Sequence, residues 1–496
     1  MTLDSPPARD LRARARQAML EAGFAPDVPP AAAAEAAALD REQIAAQVAQ
    51  VRDLRGLLWS SIDNADSRDL DQVEFAEHLP SGEIRLLVGI ADVDAFVPAG
   101  SAIDRHVATN ATSVYTGVVT FPMLPERLST DLTSLIAGAD RLAVVVEFVV
   151  GDPAAGSSQS GEPRMSDVYR ALVHNHAKLD YETTGAWLES SGAPPPELAD
   201  TPGLEAQLRL QDQAAEWLRA LRRRNGALDL ETIEASLVAA DGVVVELTVR
   251  HKNRARYLIE SLMIAANSVM ATFLEDRGVP TIERVVRTPA RWPRIVELAA
   301  TFGEQLPAAP DSRALSDFME RRKQADPAHF PDLSLAVVKL LGSGEYTLVL
   351  PGLDDASHFG LAAQDYTHAT APNRRYADLV MQRLIKATLA QLPAPYANAE
   401  LEAIAERCNE RDRAAKKVER RMRKTAAVAL MAGRIGDTFD AIVTGVAPKG
   451  TFVRLLAPPV EGRVVRGEQG LDVGDRTRVR LVATDATKGF IDFERV

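Results

Sequence analysis

Four carboxylates, Asp63, Asp66, Asp69 and Asp71, fall within nine residues, where an apolar strand pattern over 57–62 gives out. Like charges this close repel unless a cation or a cationic side chain stands among them. The fold must bring one there or leave the loop in water. Asp69 and Asp71 are two apart, so in extended backbone they point one way while Leu70 turns inward. Carboxylate oxygens without His or Cys suit a hard ion such as Mg²⁺ or Mn²⁺. The spacing misses an EF-hand loop, and taken alone the segment reads equally as a solvated acidic turn.

A length of 496 residues suggests about three domains. Lys and Arg total 57 against 69 Asp and Glu, a net charge of -12. That excludes a uniformly basic nucleic-acid coat protein but leaves room for a local basic channel. Cys408 is the single cysteine, which excludes a disulfide framework and a multi-cysteine metal site and fits a reducing compartment. No apolar run approaches the ~18 residues of a membrane span, and the N-terminus lacks the apolar segment of a secretory signal. The expectation is a cytoplasmic monomer, with no membrane contact and no obligate protein partner.

Periodicity predicts helices over 11–22 and 31–51, separated by a proline-rich breaker at 25–30. Strands follow over 73–78, 84–91, 143–150 and 168–176, with a Gly/Ser/Pro loop at 151–163. Later helices are predicted over 204–223, 253–277, 295–302, 375–392 and 399–431. Strands and helices mix without strict βαβ alternation, which makes the class α+β. The last stretch turns to five short strands, 438–446, 450–456, 461–465, 477–482 and 489–493, the pattern of a small closed barrel of the OB-fold type. The expected domains are a helical segment over 1–48, helix-turn-helix-like in outline, a catalytic domain over 49–432 and the barrel over 433–496.

Other segments agree with the acidic loop. Ile62–Asp63 ahead of Asp69–Leu70–Asp71 resembles the acidic signature of the ribonuclease II/R (RNB) family. Further matches run in family order: Ser113–Val114–Tyr115–Thr116–Gly117, Phe121–Pro122–Met123–Leu124–Pro125, the helix around Glu260, and the block from His358 to Leu379 containing Pro372–Asn373–Arg374–Arg375–Tyr376. The resemblance covers about residues 50–430, and the terminal barrel resembles an S1-type RNA-binding fold. It implies an RNB-type catalytic domain and a processive 3′→5′ exoribonuclease releasing nucleoside 5′-monophosphates from single-stranded RNA with Mg²⁺, or Mn²⁺ in its place.

By the motif match, Asp63, Asp69 and Asp71 take the catalytic and metal positions, with Gln72 as a fourth ligand and Arg374 on the scissile phosphate. A guanidinium fork just after Pro372, at an expected helix start, suits phosphate; the plainer reading is an Arg374–Asp378 pair. The resemblance also implies RNA contacts for Arg375, Tyr115, Tyr181, Glu260, Glu419 and Leu230, and for Phe452 on the barrel with Phe439 and Lys449. Glu260 has an alternative reading as the partner of Arg256, and Arg375 as a structural ion-pair residue. Eight basic residues within 411–424, with the runs at 222–224, 252–256 and 321–323, suggest a positive channel.

Two positions depart from the family pattern. Gln72 stands where the family has a fourth aspartate; the site loses one negative charge, so weaker metal affinity is expected, and a binding-only pseudo-nuclease is the alternative function. Leu230 stands where the family clamps the bases with a phenylalanine, losing stacking worth about 1–3 kcal/mol per base. The family's N-terminal cold-shock barrels do not fit before residue 50. His174 and His176 alternate on one strand face, an ordinary arrangement without a third close ligand.

Overall fold

The computed structural model describes residues 11–40, 45–153, 163–231, 234–240, 243–250, 252–289, 291–327, 329–352, 357–447, 450–485 and 489–496. The first strands follow the apolar runs: β1 (Arg52–Asp53), β2 (Trp59–Asp63), β3 (Gln72–His78), β4 (Ile84–Ala91), the short hairpin β5 (Val114–Tyr115) and β6 (Thr120–Phe121), then β7 (Asp140–Val150) and β8 (Arg164–Asp180). Six of them form one sheet in the order β1-β8-β2-β3-β4-β7, and β7 also pairs with β8, so the five strands from β8 to β7 close on themselves with β1 at the outer edge of β8. β8 manages this by length: residues 164–174 lie beside β7 and its last residues lie parallel to β2. β3, β4 and β7 are buried almost throughout, which explains why they read as continuous apolar runs rather than alternating ones.

The central helix Arg254–Glu275 fills the core beside this sheet. Its length follows the helix expected over 253–277, but among the described residues it is the one helix long and apolar enough to cross a membrane, where no such apolar run was expected; 72% of that stretch is buried within the protein, as befits a core helix. Helix Tyr376–Leu389 joins the same core, and the 34-residue tail helix Asn398–Met431 runs from it to the barrel. The helix expected over 295–302 begins earlier, at Trp292, because Pro293 is tolerated in a first turn.

The helix predicted over 31–51 is cut short. It runs Pro30–Ala38, with a separate turn at Ala45–Val48, and 41–44 lie outside the described residues. The first two helices pack on different elements. Pro30–Ala38 lies against Ala102–Asn110. Arg12–Glu21 lies on the tail helix, sharing an apolar cluster that includes Leu11, Ala18, Met19, Val418 and Met422. Arg411 fastens this contact by donating to Gly23 O at 2.6 Å.

Unpredicted elements include helices Ala102–Asn110, Ser312–Ala325 and Phe330–Leu341 and the hairpin Glu234–Ala240/Val243–Arg250. The first had a legible start: Ser101 Oγ accepts from Asp104 N at 3.1 Å, an N-cap. The five terminal strands, Thr438–Ala447, Gly450–Leu455, Glu461–Arg466, Arg476–Asp485 and Phe490–Arg495, form a closed barrel. Gly462 permits its closure, since a Cβ there would come within 2.5 Å of Ile491 O.

Candidate active site

The acidic loop is held from both sides. Leu70 is buried, its N–H donates to Ser134 Oγ at 2.9 Å, and its carbonyl accepts from Leu135 N. This anchor turns Asp69 and Asp71 to the side opposite Leu70. Asp63 ends β2, with Oδ1 accepting from Asn64 N at 2.7 Å and Ser67 Oγ at 3.0 Å. Asp71 is buried; Oδ1 accepts from Asn373 N at 2.9 Å and Oδ2 from Arg374 Nε at 3.3 Å. Burial raises the Asp63 carboxyl, and raises Asp71 to about 7 against the pull of Arg374 and the Asn373 N–H.

Arg374 lies in the turn before helix Tyr376–Leu389, one residue ahead of its N-cap position, rather than inside the helix. The i,i+4 pair with Asp378, the plainer alternative, does not form. Asp378 instead takes both Arg375 Nη2 at 2.7 Å and Arg375 Nε at 2.8 Å, and accepts from Ala371 N. Arg375 thus closes the turn that aims Arg374 at Asp71.

Tyr115, on the β5–β6 hairpin, donates its hydroxyl to Asp69 Oδ2 at 3.2 Å, and its N–H donates to Glu419 Oε1 at 3.2 Å. Tyr115 is 42% exposed. Tyr181 opens helix Tyr181–Leu188, capped by Asp180, with the Arg256 guanidinium 4.3 Å from its ring centre. Burial, with Asp63 and Glu74 nearby, raises its phenol. Arg256 pairs with Glu182 rather than Glu260, and Glu260 pairs with Lys252 at 2.9 Å. Leu230 is half-buried against the cluster of Trp292 and Phe318; beside it, Asp229 pairs with Arg219 and Glu231 with Lys323.

On the barrel, Phe452 is exposed, but Phe439 belongs to the core, with Arg434 over its ring. Lys449 lies outside the described residues. Several expected channel cations are matched within the chain: Arg254 to Asp212, Arg321 to Glu304 and Lys323 to Glu231. His174 pairs with Asp140.

Sequence reasoning missed Asn373, whose backbone holds Asp71, and Arg256, which covers Tyr181. It also missed Glu74, an acid in the otherwise apolar run Val73–Ala76. Among the described residues no three His, Cys, Asp or Glu side chains stand in a ready-made metal ligand set. The donor chemistry nevertheless fits a hard divalent cation: oxygens only, with both Glu74 carboxylate oxygens buried and without a partner.

An arginine aimed at a buried carboxylate loop makes a site whose groups suit a phosphate and a hard cation, and comparison with known proteins gives the family. Residues 51–391 match the RNB domain and 437–496 match the RNase II-type exonuclease C-terminal S1 domain. The chain belongs to the RNB family, as the resemblance implied. It is 29% identical to Ribonuclease R 1 of Lactococcus lactis, over 89% of this chain and 56% of that one, and 30% identical to Ribonuclease R of Thermotoga maritima, over 89% and 64%. The chain thus spans just over half to under two thirds of the length of these relatives. Mycoplasma genitalium RNase R in complex with ribose methylated single-stranded RNA shares the fold at TM-score 0.85 and 22% identity, covering 98% of this chain and 78% of that one. Yeast Ssd1, a pseudonuclease, shares it at TM-score 0.66 and 18% identity, covering 85% and 51%.

Proposed function

We propose that this chain is a metal-dependent exoribonuclease that shortens single-stranded RNA processively from its 3′ end, releasing nucleoside 5′-monophosphates. The carrying observation is the Asp71–Arg374 pairing, which sets a guanidinium among the loop carboxylates. Nucleases of this family are metal-dependent. Oxygen-only donors favour Mg²⁺, with Mn²⁺ able to substitute, and Asp63, Asp69, Asp71 and Gln72 are the residues that would hold it.

The cation, when bound, supplies Lewis-acid polarisation of the scissile phosphate and the attacking water. The chain's own residues do the positioning. Asp71 takes only the Nε edge of Arg374, leaving the rest of the fork for phosphate oxygens. The exposed Tyr115 ring, fixed through Asp69 and Glu419, is a platform for the terminal base. Tyr181 and Glu260 offer groups to ribose hydroxyls, the feature that separates RNA from DNA. Leu230 lines the far side of the base stack, Arg375 braces the phosphate-facing turn, and the barrel presents Phe452 to incoming strand. The reading takes the chain as a cytoplasmic monomer needing no protein partner.

The second reading, an RNA-binding protein without turnover, draws on Gln72 alone; the intact Asp63, Asp69, Asp71 and Arg374 cluster weighs against it. Incubating 5′-labelled single-stranded RNA and matching DNA with Mg²⁺, Mn²⁺ or EDTA decides between them on a sequencing gel. Stepwise shortening of RNA alone, abolished by EDTA, is the expected result. RNA retained at full length in both metals, yet bound, overturns the enzyme reading.

A further inference from the structure

Glu74 is fully buried, and neither carboxylate oxygen has a partner among the described residues. A buried carboxyl without a partner is costly unless it stays protonated or takes a ligand. Its position says which. β3 pairs with β4 in unbroken register from Gln72 to His78, so Gln72 and Glu74 share one face, about 7 Å apart along the strand. Directly opposite Glu74 on β2 is Ser60, whose hydroxyl is also without a partner, three residues before Asp63. Three of the four loop acids are engaged: Asp71 by Asn373 and Arg374, Asp69 by Tyr115, Asp63 by Asn64 and Ser67. Both Glu74 oxygens hold their acceptor capacity in reserve among the described residues.

We propose that Glu74 supplies, from the same face of β3 and with a longer arm, the divalent-cation carboxylate that Gln72 lacks. The acidic count of the site is thereby kept at four while one carboxylate moves two residues along the strand. A glutamate reaches one methylene farther than an aspartate, which covers part of that offset. The proposal rests on the metal-dependent reading above and deepens it.

The test is Mn²⁺ binding to the full-length protein, followed by electron paramagnetic resonance and calorimetry without RNA. The wild type, E74Q, D63N, Q72D and the double variant Q72D/E74Q are compared, with thermal melts to show that each is folded. E74Q keeps the shape and removes a buried acid, so it should fold. Expected are a loss of Mn²⁺ affinity in E74Q of about 10-fold or more, a comparable loss in D63N, and recovery in Q72D/E74Q. If E74Q binds Mn²⁺ as the wild type does while D63N does not, Glu74 is no ligand and the metal-dependent reading survives. If the wild type itself binds no Mn²⁺, both fall together.

Discussion

Arg374 Nε lies 3.3 Å from Asp71 Oδ2, joining positions 303 residues apart. The partners are unequally exposed: the Asp71 side chain is 3% accessible and that of Arg374 is 43%. The arginine is therefore anchored at one edge and open at the other, the condition for gripping a phosphate without losing its orientation.

Replacing Arg374 by alanine should lower kcat by about 100- to 1,000-fold, the usual loss for one preorganised donor to a developing anion. Arg374→Lys should recover little, since an ammonium cannot hold Asp71 and a phosphate edge at once. Single-turnover degradation of labelled RNA checks this; near-wild-type rates in Arg374→Ala would refute the assignment.

Tyr115 has two separable roles. Tyr115→Phe keeps the ring and removes the bond to Asp69, whereas Tyr115→Ala removes both. The alanine variant should hold short oligonucleotides about 1–3 kcal/mol more weakly and so release longer end products, and the phenylalanine variant should keep the wild-type end product. End-product length on a high-resolution gel distinguishes them.

Glu283 gives a pH signature away from the site. Burial raises its carboxyl from 4.5 to about 7; Oε1 accepts from Thr281 Oγ1 at 3.0 Å, and Oε2 has no partner among the described residues. Because the folded value lies above the unfolded one, the group's contribution is complete below about 4.5 and is lost as pH rises towards 7. Glu283→Gln removes that loss. The variant should gain on the wild type between pH 5 and pH 8, by up to about 3 kcal/mol at the upper end. Chemical denaturation at both pH values measures it, and an equal difference at each would exclude the effect.

Arg383 is a buried brace. It reaches Asp94 and Asp104 at 2.9 Å, Val97 O at 2.7 Å and the Tyr396 hydroxyl at 2.7 Å. Arg383→Met should destabilise the fold by about 3–5 kcal/mol, because the carboxylates stay buried after their partner is gone. A melting temperature within error of the wild type would show the network to be dispensable.

Much of this could be read from the residues, for physical reasons that differ by element. Strands such as Ile84–Ala91 and the tail helix carry long runs of one periodicity, and their limits follow closely. The loop acids and Arg374 announced themselves through charge density and motif order. Their partners did not: Asn373 acts through a backbone N–H, which no side-chain pattern reveals, and Arg256 turns to Tyr181 and Glu182 because Lys252 occupies Glu260. Ion-pair choice is a tertiary property, so neither i,i+4 pair weighed as the plainer reading forms. Phe439 and Phe452 looked alike in sequence, and only barrel closure sends one inward.

The docking of Arg12–Glu21 onto the tail helix has a practical reach. The Tyr115 hairpin contributes Val114 to that same apolar cluster, so a load applied to Arg12–Glu21 reaches the hairpin that carries Tyr115. Fluorophores, surface tethers and pulling handles therefore belong on elements outside that cluster.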